Sequence, residues 1–205
     1  MSGDSSTLIC FAVKEEAKFV QPRTSTRILV TGMGQKNAAE QLRKELEKSA
    51  PRLVLTCGFA GGLNPNLKIS DVVFDADSGL VEKLTALEAK RVRFHCAERV
   101  AVTVAEKATL WKSTGADAVE MESSIIRKIC RERNIPSTTV RVISDTAEED
   151  LPLDFNALMT ADCKINFAKL ALKLIGGPQK IPQLMRFQKR TIAAAQRLAE
   201  VLNQL

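Results

Sequence analysis

The chain has 205 residues, 45% of them hydrophobic and 26% charged, with a formal net charge of +6. That length and balance fit one domain with a buried core and exclude a disordered or low-complexity chain. No apolar run is long enough to span a bilayer, and Met1-Ser-Gly-Asp-Ser-Ser-Thr7 has neither the basic flank nor the apolar stretch of a secretory signal, so a cytoplasmic protein is expected.

Leu8-Ile-Cys-Phe-Ala-Val13 and Arg27-Ile-Leu-Val-Thr31 are almost continuously apolar and are predicted as short strands buried on both faces. Gly32-Met-Gly34 follows as a turn. From Gln35 to Leu46, Ala38, Ala39, Leu42 and Leu46 fall on one stripe of an amphipathic helix. Arg52 to Cys57 is the next strand, entering a glycine turn over Gly58 to Gly62, and Asp71 to Asp75 is another. Between residues 76 and 100 the pattern weakens, with strands expected around Val92 to Cys96 and Arg99 to Val102. Val104 to Ser113 is expected to be helical, as is Glu122 to Arg133, with Met121, Ile125, Ile126 and Ile129 on its buried side. Asn134-Ile-Pro136 stops that helix and leads into a β-branched strand ending at Asp145.

After Pro152 a helix is expected through Lys173, broken by Gly176-Gly-Pro178. A final amphipathic helix, within residues 178–205, carries Leu184, Phe187, Ala195, Leu198, Leu202 and Leu205 at helical spacing. This stripe reads as core or subunit contact. The side bearing Arg186, Lys189, Arg190 and Arg197 offers weak membrane-surface contact as the alternative. Strands alternating with helices predict a single-domain α/β fold spanning residues 1–205, a three-layer α/β/α sandwich.

The basic excess is spread along the chain and concentrates mainly after residue 163. With no tyrosine and one tryptophan, the chain lacks the aromatic-basic interleaving of a stacking platform, so no nucleic-acid partner is expected. Five cysteines (Cys10, Cys57, Cys96, Cys130, Cys163) without CxxC spacing, beside a single histidine, His95, read as free thiols rather than a metal site.

Chemistry-bearing residues gather at loop ends. Gly32 and Gly34 lie between a strand and a helix start, where backbone N–H groups could hold an anion, although turn geometry alone would account for them. Gly58, Gly61 and Gly62 permit close approach of a ligand; tight packing would demand the same. Glu122 sits at a strand-to-helix junction, where a carboxylate favours the helix dipole in any case. Asp145, next to Ser144, ends a strand where an open α/β sheet presents its ligands, and a capping role is the plainer alternative.

Taken together, Cys57-Gly-Phe-Ala-Gly-Gly-Leu-Asn-Pro-Asn-Leu-Lys-Ile-Ser-Asp-Val-Val73, Glu120-Met-Glu-Ser123 and Arg141-Val-Ile-Ser-Asp-Thr146 resemble the glycine loop, ribose motif and acid motif of the nucleoside phosphorylase/nucleosidase family. The likeness runs from about residue 8 to residue 172. The C-terminal Gly-Gly-Pro and basic helix look most like hopanoid-associated phosphorylases, and the core equally resembles 5′-methylthioadenosine/S-adenosylhomocysteine nucleosidases. The resemblance implies a nucleoside phosphorylase-like fold with a central mixed sheet, a homodimer or larger homo-oligomer, and no metal or organic cofactor. Inorganic phosphate would be a co-substrate if the reaction is phosphorolysis.

It also implies roles. Asp145, supported by Ser144, would protonate purine N7, since the base must leave as an oxocarbenium-like ribosyl centre forms. Glu122 would hold the ribose 2′- and 3′-hydroxyls with Met121 packed on the sugar. Glu16 would activate water, its neighbour Glu15 leaving the register open, and Lys18 or Arg141 could meet phosphate. Gly34, Phe59, Ala60, Gly61 and Val100 would line the base or anion pocket. The chain departs from the family at Phe59, where nucleosidases carry a small hydroxyl residue, and at Glu98 and Val100, where the family has an aspartate and an aromatic. The stretch between Asp75 and Cys96 is short, which implies an open pocket and a bulky 5′ substituent. The expected activity is cleavage of the N-glycosidic bond of a 5′-substituted adenosine by phosphorolysis or hydrolysis. The alternative is a family member that binds a nucleoside without turning it over.

Overall fold

In the computed structural model, which describes residues 4–21, 23–76, 78–160 and 178–205, an eight-stranded mixed sheet forms the centre of the molecule. Its strands are β1 (Asp4–Phe11), β2 (Thr26–Val30), β3 (Pro51–Gly62), β4 (Val72–Ala76), β5 (Lys90–Arg91), β6 (Phe94–Cys96), β7 (Ala118–Glu120) and β8 (Ser137–Asp145). The order is β2-β1-β3-β8-β4-β5, and a side branch pairs β7 with the end of β3 and β6 with β7. β1, β3 and β8 run parallel, so their C-terminal ends share one rim. β4 is antiparallel to β8, and β7 is antiparallel to β3. The expected α/β fold with a mixed sheet is therefore observed.

The helices are α1 (Lys14–Ala17), α2 (Gln35–Lys48), α3 (Val81–Ala86), α4 (Val104–Thr114), α5 (Ser123–Glu132), α6 (Phe155–Leu158) and α7 (Ile181–Leu202). They divide over the two faces because strand side chains alternate. Leu8, Cys10 and Val54 point to one face, where Ala38, Ala39, Leu42 and Leu46 of α2 meet Ile126, Ile129 and Cys130 of α5. Ile9, Phe11, Leu55, Cys57, Val140 and Val142 point to the other, covered by Ala194, Leu198, Ala199, Val201 and Leu202 of α7. The second half of α7 thus takes the core reading of its stripe. Each leucine so buried contributes about 1.5–3 kcal/mol.

Three local expectations change. The glycines Gly58 to Gly62 are not a turn but the last part of β3, paired with β8 through Gly61 and with β7 through Gly61 and Gly62. Residues Arg99 to Val102 are not a strand. Their backbone is held by side chains, with Val100 N–H and C=O both bound by Asn156 and Val102 N–H by Glu106. Glu122 caps α5 rather than lying within it. The helix expected from Pro152 is described only as α6, and the remainder of it, with Cys163 and the Gly176-Gly177 break, lies outside the described residues. Among the described residues no helix is long and apolar enough to cross a membrane. Cys10, Cys57, Cys96 and Cys130 are free thiols.

Candidate active site

The shared rim of β1, β3 and β8 gathers the predicted acids from four places in the chain. β1 ends at Phe11, and the short α1 turns Glu16 inward, where it is buried while Glu15 is exposed. Glu16 Oε2 accepts the N–H groups of Ala12 at 2.9 Å and Val13 at 3.1 Å, and Oε1 accepts Phe59 N–H at 2.8 Å. Both carboxylate oxygens are therefore fixed by backbone. Burial nonetheless outweighs these bonds and the nearby Arg141 charge, and raises the pKa of Glu16 above its usual value.

Gly58 makes this approach feasible. Its φ is +144°, and a Cβ there would lie 2.4 Å from Glu16 Oε1 and 2.7 Å from Arg141 Nη1. Only glycine fits where a carboxylate and a guanidinium both press on the strand.

Arg141 projects from β8 and is fully buried. It donates to Glu120 at 2.6 Å and Glu122 at 3.4 Å, and also to Cys57 C=O and Thr56 Oγ1. Burial works against its charge, but Glu120, Glu122 and Glu16 outweigh burial and raise its pKa. Three carboxylates thus share one guanidinium.

Glu120 and Glu122 have different duties. Glu120 accepts the N–H groups of Glu122 and Ser123 and the Ser123 hydroxyl, so it satisfies the N-terminus of α5. Burial opposes its charge, yet Arg141 and these donors prevail and lower its pKa. Glu122 accepts Gly34 N–H at 2.8 Å at the start of α2. Burial, aided by Glu120, raises its pKa to about 7 against the pull of Arg141 and Gly34. The helix N-terminus at Gly32-Met33-Gly34 is thus already occupied by the Glu122 carboxyl group, and Gly32 N–H is bound to Ala12 C=O.

Asp145 ends β8 and is buried. Ser144 Oγ donates to its Oδ1 at 2.6 Å, and Lys107 Nζ lies 2.6 Å from its Oδ2. Gly61 passes close by, since a Cβ there would be 3.2 Å from both Asp145 Oδ2 and Val119 Cγ1. Ala60 and Met121 are buried beside these residues in β3 and before α5. Phe59 lends its amide to Glu16, while its half-buried ring packs on the apolar cluster of the α7 face. Val100 is half-buried beyond β6, clamped by Asn156.

The cations named for phosphate are otherwise occupied or remote. Arg141 is committed to carboxylates, and Lys18 is exposed with its ammonium over the Phe19 ring. Lys107 was not anticipated from sequence, since a lone lysine in a helix reads as a solvated side chain. Glu120's grip on both α5 and Arg141 was likewise not read from sequence. Among the described residues no group of three or more His, Cys, Asp or Glu side chains is placed to hold a metal ion.

The sequence matches the family model described as "Phosphorylase superfamily" over residues 74–176. The fold is similar to a putative 5′-methylthioadenosine/S-adenosylhomocysteine nucleosidase from Borrelia burgdorferi bound to adenine, with a TM-score of 0.71, 16% identity, and 97% of this chain and 98% of that chain covered. It is similar to an S-adenosylhomocysteine nucleosidase from Streptococcus pyogenes in complex with 5-methylthiotubericidin, with a TM-score of 0.69, 16% identity, and 100% and 96% covered. A futalosine hydrolase of Helicobacter pylori matches with a TM-score of 0.67, 18% identity, and 98% and 97% covered. At these identities the likeness is one of fold.

Proposed function

The chain belongs to the phosphorylase superfamily, and on that footing we propose that it cleaves the N-glycosidic bond of a purine nucleoside, a 5′-substituted adenosine, by hydrolysis. The observation that carries this reading is the convergence of Glu16, Glu122 and Asp145 at one rim of the sheet, each buried and each held by named donors.

Asp145 gives its proton to N7 of the base, so that the C1′–N9 electron pair leaves on a neutral purine. The ribosyl centre becomes cationic as that bond opens. Glu16, Glu120 and Glu122 surround a single guanidinium, so the site is short of positive charge and favours a cation. Glu122 accepts the ribose hydroxyls, and Met121 lies between it and Glu120 to pack on the sugar. Glu16, with raised proton affinity and fixed orientation, takes a proton from the attacking water.

Water is favoured over phosphate by electrostatics. The Gly34 amide and Arg141 are both taken by Glu120 and Glu122, and a phosphate dianion would have to displace these side chains to reach them. The short connection between β4 and β6, which holds only α3 and β5 as regular elements after a single 3-10 turn, is the reason for assigning a bulky 5′ group.

The test is release of adenine, followed by chromatography, from 5′-methylthioadenosine, S-adenosylhomocysteine, 5′-deoxyadenosine and adenosine, with and without phosphate. Phosphate-independent release with free ribose product is expected. A strict phosphate requirement with a ribose 1-phosphate product would remove Glu16 from its role. Binding of these nucleosides without release would replace the reading with a non-catalytic one.

A further inference from the structure

Lys107 is a fully buried charge that the reaction just described does not use. It stands in the first turns of α4 and is completely buried. Burying an ammonium is costly unless every proton finds an acceptor. Here all three do: Asp145 Oδ2 at 2.6 Å, Thr146 C=O at 2.7 Å and Glu149 C=O at 2.8 Å. One acceptor is the carboxylate assigned to protonate the base, and the other two belong to the backbone that directly follows it.

We propose that Lys107 is a positioning residue for the acid, fixing the Asp145 carboxyl group against the loop after β8 so that one oxygen faces the base. The proposal rests on the acid role of Asp145 argued above. Ser144 secures Oδ1 and Lys107 secures Oδ2, so rotation of the carboxyl group would break one bond or the other. The loop is itself held. Glu149 Oε1 accepts Thr146 N–H at 3.1 Å, and Arg190 of α7 reaches Glu149 Oε2 at 2.7 Å. The neighbouring acid on α4, Glu106, is turned to the Val102 and Thr103 amides and to Arg99, so it does not compete for the ammonium. β3 offers only Ala60 and Gly61 at this level, and no charged group. In the transfer the Asp145 O–H bond breaks, the N7–H bond forms and the C1′–N9 pair passes to the base. Lys107 keeps its protons throughout.

A lysine that served packing alone would affect every substrate equally. A lysine that aims the acid matters only when the leaving base needs a proton. The experiment therefore compares 5′-methylthioadenosine with its N7-methylated form, whose base already carries the positive charge. Lys107→Met removes the charge. Lys107→Gln is the second variant, because its amide can still donate to a loop carbonyl and support the fold.

For either variant, kcat on 5′-methylthioadenosine should fall about 100-fold or more with KM changed less than about threefold, while kcat on the N7-methylated substrate falls less than about tenfold. Equal loss on both substrates, or no loss on 5′-methylthioadenosine, would overturn the proposal. Asp145→Asn separates the two levels. A selective loss there without a matching one at Lys107 removes the positioning role alone. No loss there removes the acid reading and the proposal with it.

Discussion

Glu16 and Glu15 are adjacent and chemically alike, and the structure separates them by what the backbone offers. Glu16 meets three amide donors, while Glu15 is exposed. Glu16→Gln is therefore expected to lower turnover by about 100-fold or more through loss of the base, and Glu15→Gln to leave it within about twofold, measured side by side as kcat. Gly58→Ala is expected to be more damaging than a methyl group suggests. The new Cβ would sit 2.4 Å from Glu16 Oε1, and the φ of +144° is itself strained for any other residue. A loss of about 2–4 kcal/mol in urea denaturation, with activity lost in parallel, is the expected result; a stable, active variant would mean that strand and carboxylate can part freely. Glu122, Asp145 and Glu16 were singled out by the resemblance of short local motifs, and the fold brings all three, buried, to one rim of the sheet. Arg141 and Lys107 were not legible as partners of these acids. Their acceptors lie 21 and 38 positions away in the chain, and no local spacing records such a pairing.

At the scale of elements, periodicity served wherever an element was long enough to display it. The stripe of α2 and the β-branched run of β8 were readable, whereas α3 has six residues and β5 two, too few for a period. The glycines of β3 misled for a physical reason. Residues without side chains read as a turn, but here they let β7, Asp145 and Glu16 crowd against a continuing strand. Arg99 to Val102 misled in the opposite sense, since its alternation is satisfied by side chains from elsewhere. The reciprocal bonds of Asn156 with Val100, both 2.9 Å, stand in for a strand partner. Asn156→Ala should cost about 1–3 kcal/mol by leaving Val100 unpaired. It should also speed hydrogen exchange at the Val100 amide beyond the change in global stability. Exchange that merely follows global unfolding would show that the segment is held by other means.

The whole molecule carries more buried carboxylates than cations at the candidate site, and this has a consequence for stability that no single contact displays. Glu122 in the folded protein has its pKa raised from 4.5 to about 7, chiefly by burial, and Glu16 is raised for the same reason. Between about pH 4.5 and about pH 7 the folded protein holds a proton on Glu122 that the unfolded chain has released. The stabilisation this gives is fully present below about pH 4.5 and is lost as pH rises through about 7, at up to about 1.4 kcal/mol per pH unit for each such group. Glu120, whose pKa is lowered, acts in the opposite direction and only below its usual range, so it does not mask the effect. The unliganded protein should therefore be less stable at pH 8 than at pH 5.5 in denaturant melts. Glu122→Gln, which is neutral throughout, should flatten that decline, its stability relative to the natural chain rising with pH. A cationic or hydroxyl-rich ligand that satisfies the ionised carboxylate should narrow the same gap. If the two proteins instead run parallel across this range, Glu122 is already ionised in the empty site, and Arg141 alone neutralises more of the cluster than its two contacts imply.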